Sequence, residues 1–256
     1  SGKYQEAIES CKQAIRIDPD YAKAHNNLGN AYGKSGKYKE AIKSLKQAIR
    51  LDPDYAKAHY NLGVAYGKSG KYQEAIESCK QAIRIDPDYA KAHNNLGNAY
   101  GKSGKYKEAI KSLKQAIRLD PDYAKAHYNL GVAYGKSGKY QEAIESCKQA
   151  IRIDPDYAKA HNNLGAAYAE LGKYQEEIEP YKQAIRIDPD YAEAHSNLGL
   201  AYGESGRHQE AIESFKQAIR IDPDDADAHY NLGKAYHDSG KYEEAIESYK
   251  QALRIN

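Results

Sequence analysis

The chain has 256 residues, 29% of them charged and 41% hydrophobic, with a mean hydropathy of −0.90. No apolar run approaches the ~18 residues of a membrane-spanning helix, and no segment has the charged, apolar and small-residue order of a signal peptide. The formal net charge of +2 hides an asymmetry: residues 1–157 hold 27 Lys and Arg against 18 Asp and Glu, whereas residues 158–256 hold 11 against 18.

Self-similarity organises everything else. Tyr21 recurs as Tyr55, Tyr89, Tyr123, Tyr157 and Tyr191, with Asp225 closing the column, and Pro19, Pro53, Pro87, Pro121, Pro155, Pro189 and Pro223 keep the same period of 34 residues. The chain therefore divides into a half repeat, 1–21, then full repeats starting at Ala22, Ala56, Ala90, Ala124, Ala158, Ala192 and Ala226. A single array over 1–256 is expected. There is no Met, so Ser1 is expected not to be the translated start.

Taken in chain order, residues 1–21 carry the pattern of a repeat's second helix. In the next repeat a first helix is predicted from about Ala22 to Lys34, with Asp20 as its N-terminal cap. Ser35-Gly36 ends it, Gly36 taking the positive φ of a helix stop. A second helix is predicted from about Lys37 to Leu51, ended by Asp52-Pro53. Leu28, Ala31 and Tyr32 fall at helical spacing in the first helix; Tyr38, Ala41, Ile42, Leu45, Ala48 and Ile49 do so in the second. Gly29 and Ala41 have almost no side chain, so the two axes can close to the short end of roughly 8–10 Å. Two such helices cannot bury their apolar faces alone, and neighbouring repeats must stack into an all-α solenoid.

Leu28-Gly29, Tyr32, Ala41, Ala48 and Pro53, recurring at 34 over essentially the whole chain, resemble the tetratricopeptide (TPR) signature. That resemblance implies a right-handed α-solenoid of helix-turn-helix repeats in which the first helices line a concave, peptide-binding groove. One departure is systematic: where the family often has an aromatic, three places before Leu28, stands His25.

Three irregularities break the pattern. Residues 1–97 are identical to residues 69–165, a block of two repeats copied without a change, which points to recent duplication or deliberate assembly. In the repeat 158–191, Glu177 replaces the small residue of Ala41 and Pro180 sits inside the second helix. A bent helix and a weak joint are expected there. Finally, the chain opens on a second helix and stops without a polar closing helix, so apolar end faces and head-to-tail self-association are expected.

The most suggestive column is Asn27, Asn61, Asn95, Asn129, Asn163, Asn197 and Asn231, without exception in seven full repeats. Asn is a mediocre helix former, but its amide both donates and accepts, which suits a peptide backbone. Repeats roughly 10 Å apart would bring one Asn to every third residue of an extended peptide. The column is similar to the asparagine ladder of O-linked N-acetylglucosamine transferases; the alternative is a polar bond between neighbouring repeats.

Four residues before the first five of these stand Lys23, Lys57, Lys91, Lys125 and Lys159, on the same helix face. The set resembles the carboxylate clamp of TPR co-chaperones, in which Lys23, Asn27, Asn61 and Lys91 match four elements while Asn95 stands for the family's Arg. That resemblance implies an acidic peptide or a free C-terminus as partner. Glu193 and Asp227 replace the lysine in the last two repeats. Lys34, Lys68, Lys102 and Lys136 flank the same face, succeeded by Glu170, Glu204 and Asp238, and the variable Asn26, Tyr60, Asn94, Tyr128, Asn162, Ser196 and Tyr230 beside the Asn column are expected to supply selectivity.

Other chemistries find little support. One His per repeat, from His25 to His229, is too widely spaced to converge on a metal and is read as packing. Cys11, Cys79 and Cys147 replace apolar residues of other repeats and are read as core. Ser, His and Asp recur as framework rather than as one special constellation, so no catalytic residue is assigned. The glycines form no phosphate-cradling loop, and no cofactor is expected. Aromatic interleaving is too sparse for nucleic acid. The expected function is a protein- or peptide-binding scaffold, with a targeting segment of a larger enzyme, or an assembled array without a natural ligand, as alternatives.

Overall fold

The computed structural model describes residues 2–173 and 175–255. Among them lie fifteen helices and no strand, and no helix is long and apolar enough to cross a membrane. After α1 (Gly2–Ile17) come α2 (Ala22–Lys34) and α3 (Tyr38–Leu51), α4 (Ala56–Lys68) and α5 (Tyr72–Ile85), and α6 (Ala90–Lys102) and α7 (Tyr106–Leu119). They are followed by α8 (Ala124–Lys136) and α9 (Tyr140–Ile153), α10 (Ala158–Ala169) and α11 (Ile178–Ile187), α12 (Ala192–Glu204) and α13 (His208–Ile221), and α14 (Ala226–Asp238) and α15 (Tyr242–Ile255). The chain forms two compact units, Ser1–Ala133 and Tyr134–Asn256. In each, a helix packs on the next in sequence, and first helices also meet first helices: α2 with α4 and α4 with α6 in one unit, α10 with α12 and α12 with α14 in the other. Each unit is thus an all-α solenoid of stacked helix pairs.

The first helix stops as the sequence predicts. Gly36 has φ of 78°, which lets the Lys37 amide turn back to donate to the Tyr32 carbonyl at 2.9 Å, and the Ser35 hydroxyl donates to the same carbonyl at 2.9 Å. The helix start differs from expectation. Asp20 is not the cap: the residue flanking α2 is Tyr21, without a side-chain cap bond, and the Asp20 amide donates back to Asp18 Oδ1 at 3.2 Å. Pro19 and the tight turn after it shift the capping position by one residue. Only a short acceptor at that place can cap, and Asp225, which replaces the Tyr, accepts from the Ala228 amide at 3.0 Å. The turn is also tied from inside the helix, where His25 Nε2 donates to the Pro19 carbonyl at 2.9 Å. His59, His93, His127, His161, His195 and His229 repeat this bond at 2.9–3.1 Å.

Inside each pair the packing is set by the absence of a Cβ. One added to Gly29 would fall 2.5 Å from Leu45 Cγ and 3.1 Å from the Ala41 carbonyl oxygen. Gly97 stands in the same relation to Leu113 and Ala109, and Gly63 to Cys79 and Ala75. In the second unit the partners of Gly165, Gly199 and Gly233 are the rings of Tyr181, Phe215 and Tyr249. Cys79 and Cys147 are fully buried at this facing position, and burial pushes both thiols up to about 12, so they behave as core apolar residues.

The repeat 158–191 departs from the rest, but not by bending. Its second helix starts late, at Ile178 rather than near Lys173, so Pro180 lies in the first helical turn, where a missing amide costs little. Tyr174 lies outside the described residues. Glu177, just before the helix, is only 2% exposed; it occupies the place that Ala41, Ala75 and Ala109 fill in other repeats. Burial, and then the charge of Glu204, push its carboxyl from 4.5 up to about 7. The turn is held by long bonds, Glu177 N to Lys173 O at 3.3 Å and Tyr181 N to Glu177 O at 3.4 Å.

Because the folded chain binds the Glu177 proton more tightly than the unfolded chain, the stabilisation it brings is full below pH 4.5 and is lost as pH rises through about 7. Urea unfolding at about pH 5 and about pH 8 should show the wild type losing on the order of 2 kcal/mol relative to Glu177→Gln over that interval. At the glycine contact, Gly97→Ala should lose roughly 1–3 kcal/mol by overpacking. Combining it with Leu113→Ala should cost less than the sum of the single changes, as a double-mutant cycle in urea would report.

Candidate peptide-binding face

The seven asparagines of the column do not share one environment. Asn61 Nδ2 donates to Asn26 Oδ1 at 2.9 Å, Asn129 Nδ2 to Asn94 Oδ1 at 2.8 Å, and Asn197 Nδ2 to Asn162 Oδ1 at 3.0 Å. These are polar bonds between first helices of neighbouring repeats, the alternative to a peptide ladder. Each uses one N–H of an amide that has a second N–H and a carbonyl oxygen. The intervening residues differ: Asn27 is exposed and receives only a 3.4 Å contact from Asn26 Nδ2, and Asn95 lines a cleft with Tyr60. Asn163 and Asn231 are half-buried at the same helix position. The structural period of the column is therefore two repeats, in step with the Asn that stands just before Asn27, Asn95 and Asn163.

Selectivity at the surface is the role the sequence suggests for that neighbouring position, and for three residues the structure corrects it. Asn26, Asn94 and Asn162 are at most 1% exposed; their oxygens serve as internal acceptors because the next first helix lies directly over them. Tyr60 instead packs against Tyr89, the rings tilted at 42° with centroids 5.0 Å apart, and Tyr230 remains 57% exposed. The sequence signal for the buried set is the Asn-Asn pair itself, at 26–27, 94–95 and 162–163.

Lys23, Lys57, Lys91, Lys125 and Lys159 are all exposed, and among the described residues none forms an ion pair. Where the column turns acidic, the replacement has a job: Glu193 Oε1 accepts from the buried Asn162 Nδ2 at 3.1 Å.

One cleft in the first unit, of about 240 Å³, gathers Tyr60, Lys68, Tyr72, Asn95, Lys102 and Lys125. It brings together one member of the Asn column, one of the Lys column and two flanking lysines. In the second unit the same repeat positions, 136 residues on, form a cleft of about 190 Å³ lined by Leu200, Glu204, His208, Asn231, Lys234 and Asp238. Lys68 has become Glu204 and Lys102 has become Asp238, so two clefts of one design carry opposite charge.

Comparison with known proteins agrees with this architecture. Residues 1–36 and 30–70 match the family model described as TPR repeat, residues 56–89 that of the tetratricopeptide repeat, and residues 87–256 that of the cilia and flagella-associated protein 70 C-terminal domain. Among curated proteins no relative is matched by sequence. A crystal structure of MamA is 32% identical, over 62% of this chain and 94% of that one, with a TM-score of 0.58. YrrB, described as a TPR protein with an unusual peptide-binding site, is 26% identical over 73% of this chain and 97% of that one, at a TM-score of 0.57. The Cut9 and Hcn1 assembly of the APC/C shares the fold at 19% identity and a TM-score of 0.76, over 99% of this chain and 50% of that one. Repeat period, helix pairing and matched models together assign this chain to the tetratricopeptide-repeat family.

Proposed function

We propose that the chain, a protein-interaction scaffold by its fold, holds an extended acidic peptide segment along the first helices of its first unit. The observation that carries this reading is the basic cleft in which Lys68, Lys102 and Lys125 surround Tyr60 and Asn95. Three ammonium groups supply attraction for carboxylates, and the tyrosines and Asn95 supply apolar and hydrogen-bonding surface. The Asn column supports backbone contact, with a change from the simple ladder. Since the environment repeats every second repeat, equivalent contacts are about 20 Å apart, or about six residues of extended peptide. YrrB, with its unusual peptide-binding site on the same fold, supports a peptide as the occupant.

Association between copies is a second reading, favoured by the apolar face of α15, where Ile246 is 54% and Leu253 78% exposed. Light scattering across a concentration series should then show growth in mass that Leu253→Asp suppresses.

For the peptide reading, fluorescence anisotropy with a labelled peptide of alternating Asp and Gly should show saturable, salt-sensitive binding, in contrast to a Ser and Gly peptide of equal length. The double change Lys68→Glu and Lys102→Glu should weaken it roughly three- to tenfold. Equal binding of the acidic and neutral peptides, unaltered by these changes, would remove the proposal.

A further inference from the structure

Asn26, Asn94 and Asn162 lie at one position of α2, α6 and α10, and each accepts from an Asn of the next first helix. Their own amide nitrogens meet three different fates. Asn162 Nδ2 donates to the Glu193 carboxylate at 3.1 Å. Asn94 Nδ2 is buried with no acceptor. Asn26 Nδ2 reaches only Asn27 Oδ1 at 3.4 Å and the Tyr55 hydroxyl at 3.5 Å, the far limit of hydrogen bonding.

What sets Asn162 apart from the other two is one residue in the following repeat. Where Glu193 follows Asn162, Lys57 follows Asn26 and Lys125 follows Asn94 at the same spacing of 31 residues. An ammonium group donates and cannot accept, so a lysine at that repeat position cannot answer the amide as Glu193 does. A buried amide N–H without an acceptor is unfavourable, and it is relieved by any acceptor that reaches it. Lys125 also lines the cleft with Tyr60 and Asn95, adjoining Asn94.

We infer that Asn94 with Lys125, and Asn26 with Lys57, are carboxylate-receiving sites in which an oxygen of the ligand takes the position that Glu193 Oε1 holds beside Asn162. The ligand oxygen accepts from Asn Nδ2, and the lysine neutralises its charge. Glu193 is then the chain's own occupant of the third copy, which closes that copy to anionic ligands. This rests on the acidic-peptide reading and adds to it the groups that receive the carboxylates: two buried amides, two repeats apart, each followed 31 residues on by an exposed lysine. An acidic side chain and a peptide C-terminus both supply such a carboxylate, and the two sources are tested separately.

The experiment uses the ¹⁵N-labelled chain and two probes, an acetylated peptide of four Asp-Gly units with an amidated C-terminus, and an acetylated Ser-Gly peptide with a free one. Side-chain amide resonances are assigned by their loss in Asn26→Leu, Asn94→Leu and Asn162→Leu. Addition of the first probe should move the Asn26 and Asn94 amide resonances and leave that of Asn162 in place if side-chain carboxylates are received; the second should do so if the C-terminus is. In Lys57→Glu with Lys125→Glu, both resonances should lie near their bound positions without any peptide, and affinity should fall at least about tenfold, the weight of a charge-assisted hydrogen bond. Glu193→Lys, which restores the residue found at this position in five other repeats, should make Asn162 respond and raise the number of sites from two to three. Peptide binding that leaves the Asn26 and Asn94 amides unmoved, with affinity unchanged in the double Lys variant, overturns this inference and leaves the proposed function standing. No binding of either probe to the wild type overturns both.

Discussion

A missing side-chain atom sets the spacing of the helices. Because Gly29 has no Cβ, Leu45 can sit directly against the backbone of α2, beside the carbonyl of Ala41. The same contact, made with Cys79, Leu113, Tyr181, Phe215 or Tyr249, recurs along the chain with side chains of very different volume. What is held fixed is the approach of backbone to side chain on one face, and the rest of the pair accommodates the volume. Ala41, Ala48, Ala75 and Ala82, at 0–1% exposure, close the remaining gap. With both helices locked in this way, the second helix spends its apolar face on its neighbours, and the first helix keeps one face for the next first helix and for solvent.

That free face is where polar chemistry concentrates. Asn-to-Asn bonds fasten successive first helices from the inside, while lysines at the same helices stand outside, unpaired with any carboxylate among the described residues. The buried amides are part of the scaffold through their oxygens, yet their nitrogens answer to whatever the following repeat presents. Two atoms of one side chain thus answer to two different neighbours.

Helix limits are legible in the residues because they are punctuated locally: Gly36 needs its positive φ, Pro53 cannot continue a helix, and Ala22 to Lys34 lies between such marks. The cap is not, since residue type favours Asp20 while the turn around Pro19 moves the register by one residue, a matter of backbone geometry that composition does not reveal. Spacing alone makes His25 a packing residue, but its bond to the Pro19 carbonyl depends on the ring reaching back across the turn. The Asn column is visible as a period of 34, whereas its division into two environments is not. The partner of Asn61 lies 35 residues earlier, so the bond exists only once the repeats have stacked. Glu177 shows the opposite limit, since a carboxyl at a buried Ala position is legible as a conflict but its resolution, a helix that starts a turn late, requires the fold.

In the identical blocks 1–97 and 69–165, Asn94 and Asn162 are the last buried Asn of each, and each block ends before the residue 31 positions further on. Asn94 and Asn162 hold the same place in the two blocks, yet one is followed by Lys125 and the other by Glu193, so identical segments acquire different hydrogen bonds at their seams. Copying a block multiplies donors, and the identity of each copy is written by its successor. A repeat in such an array is therefore not an interchangeable brick: moving it, without altering a residue within it, changes what its buried amide can bind.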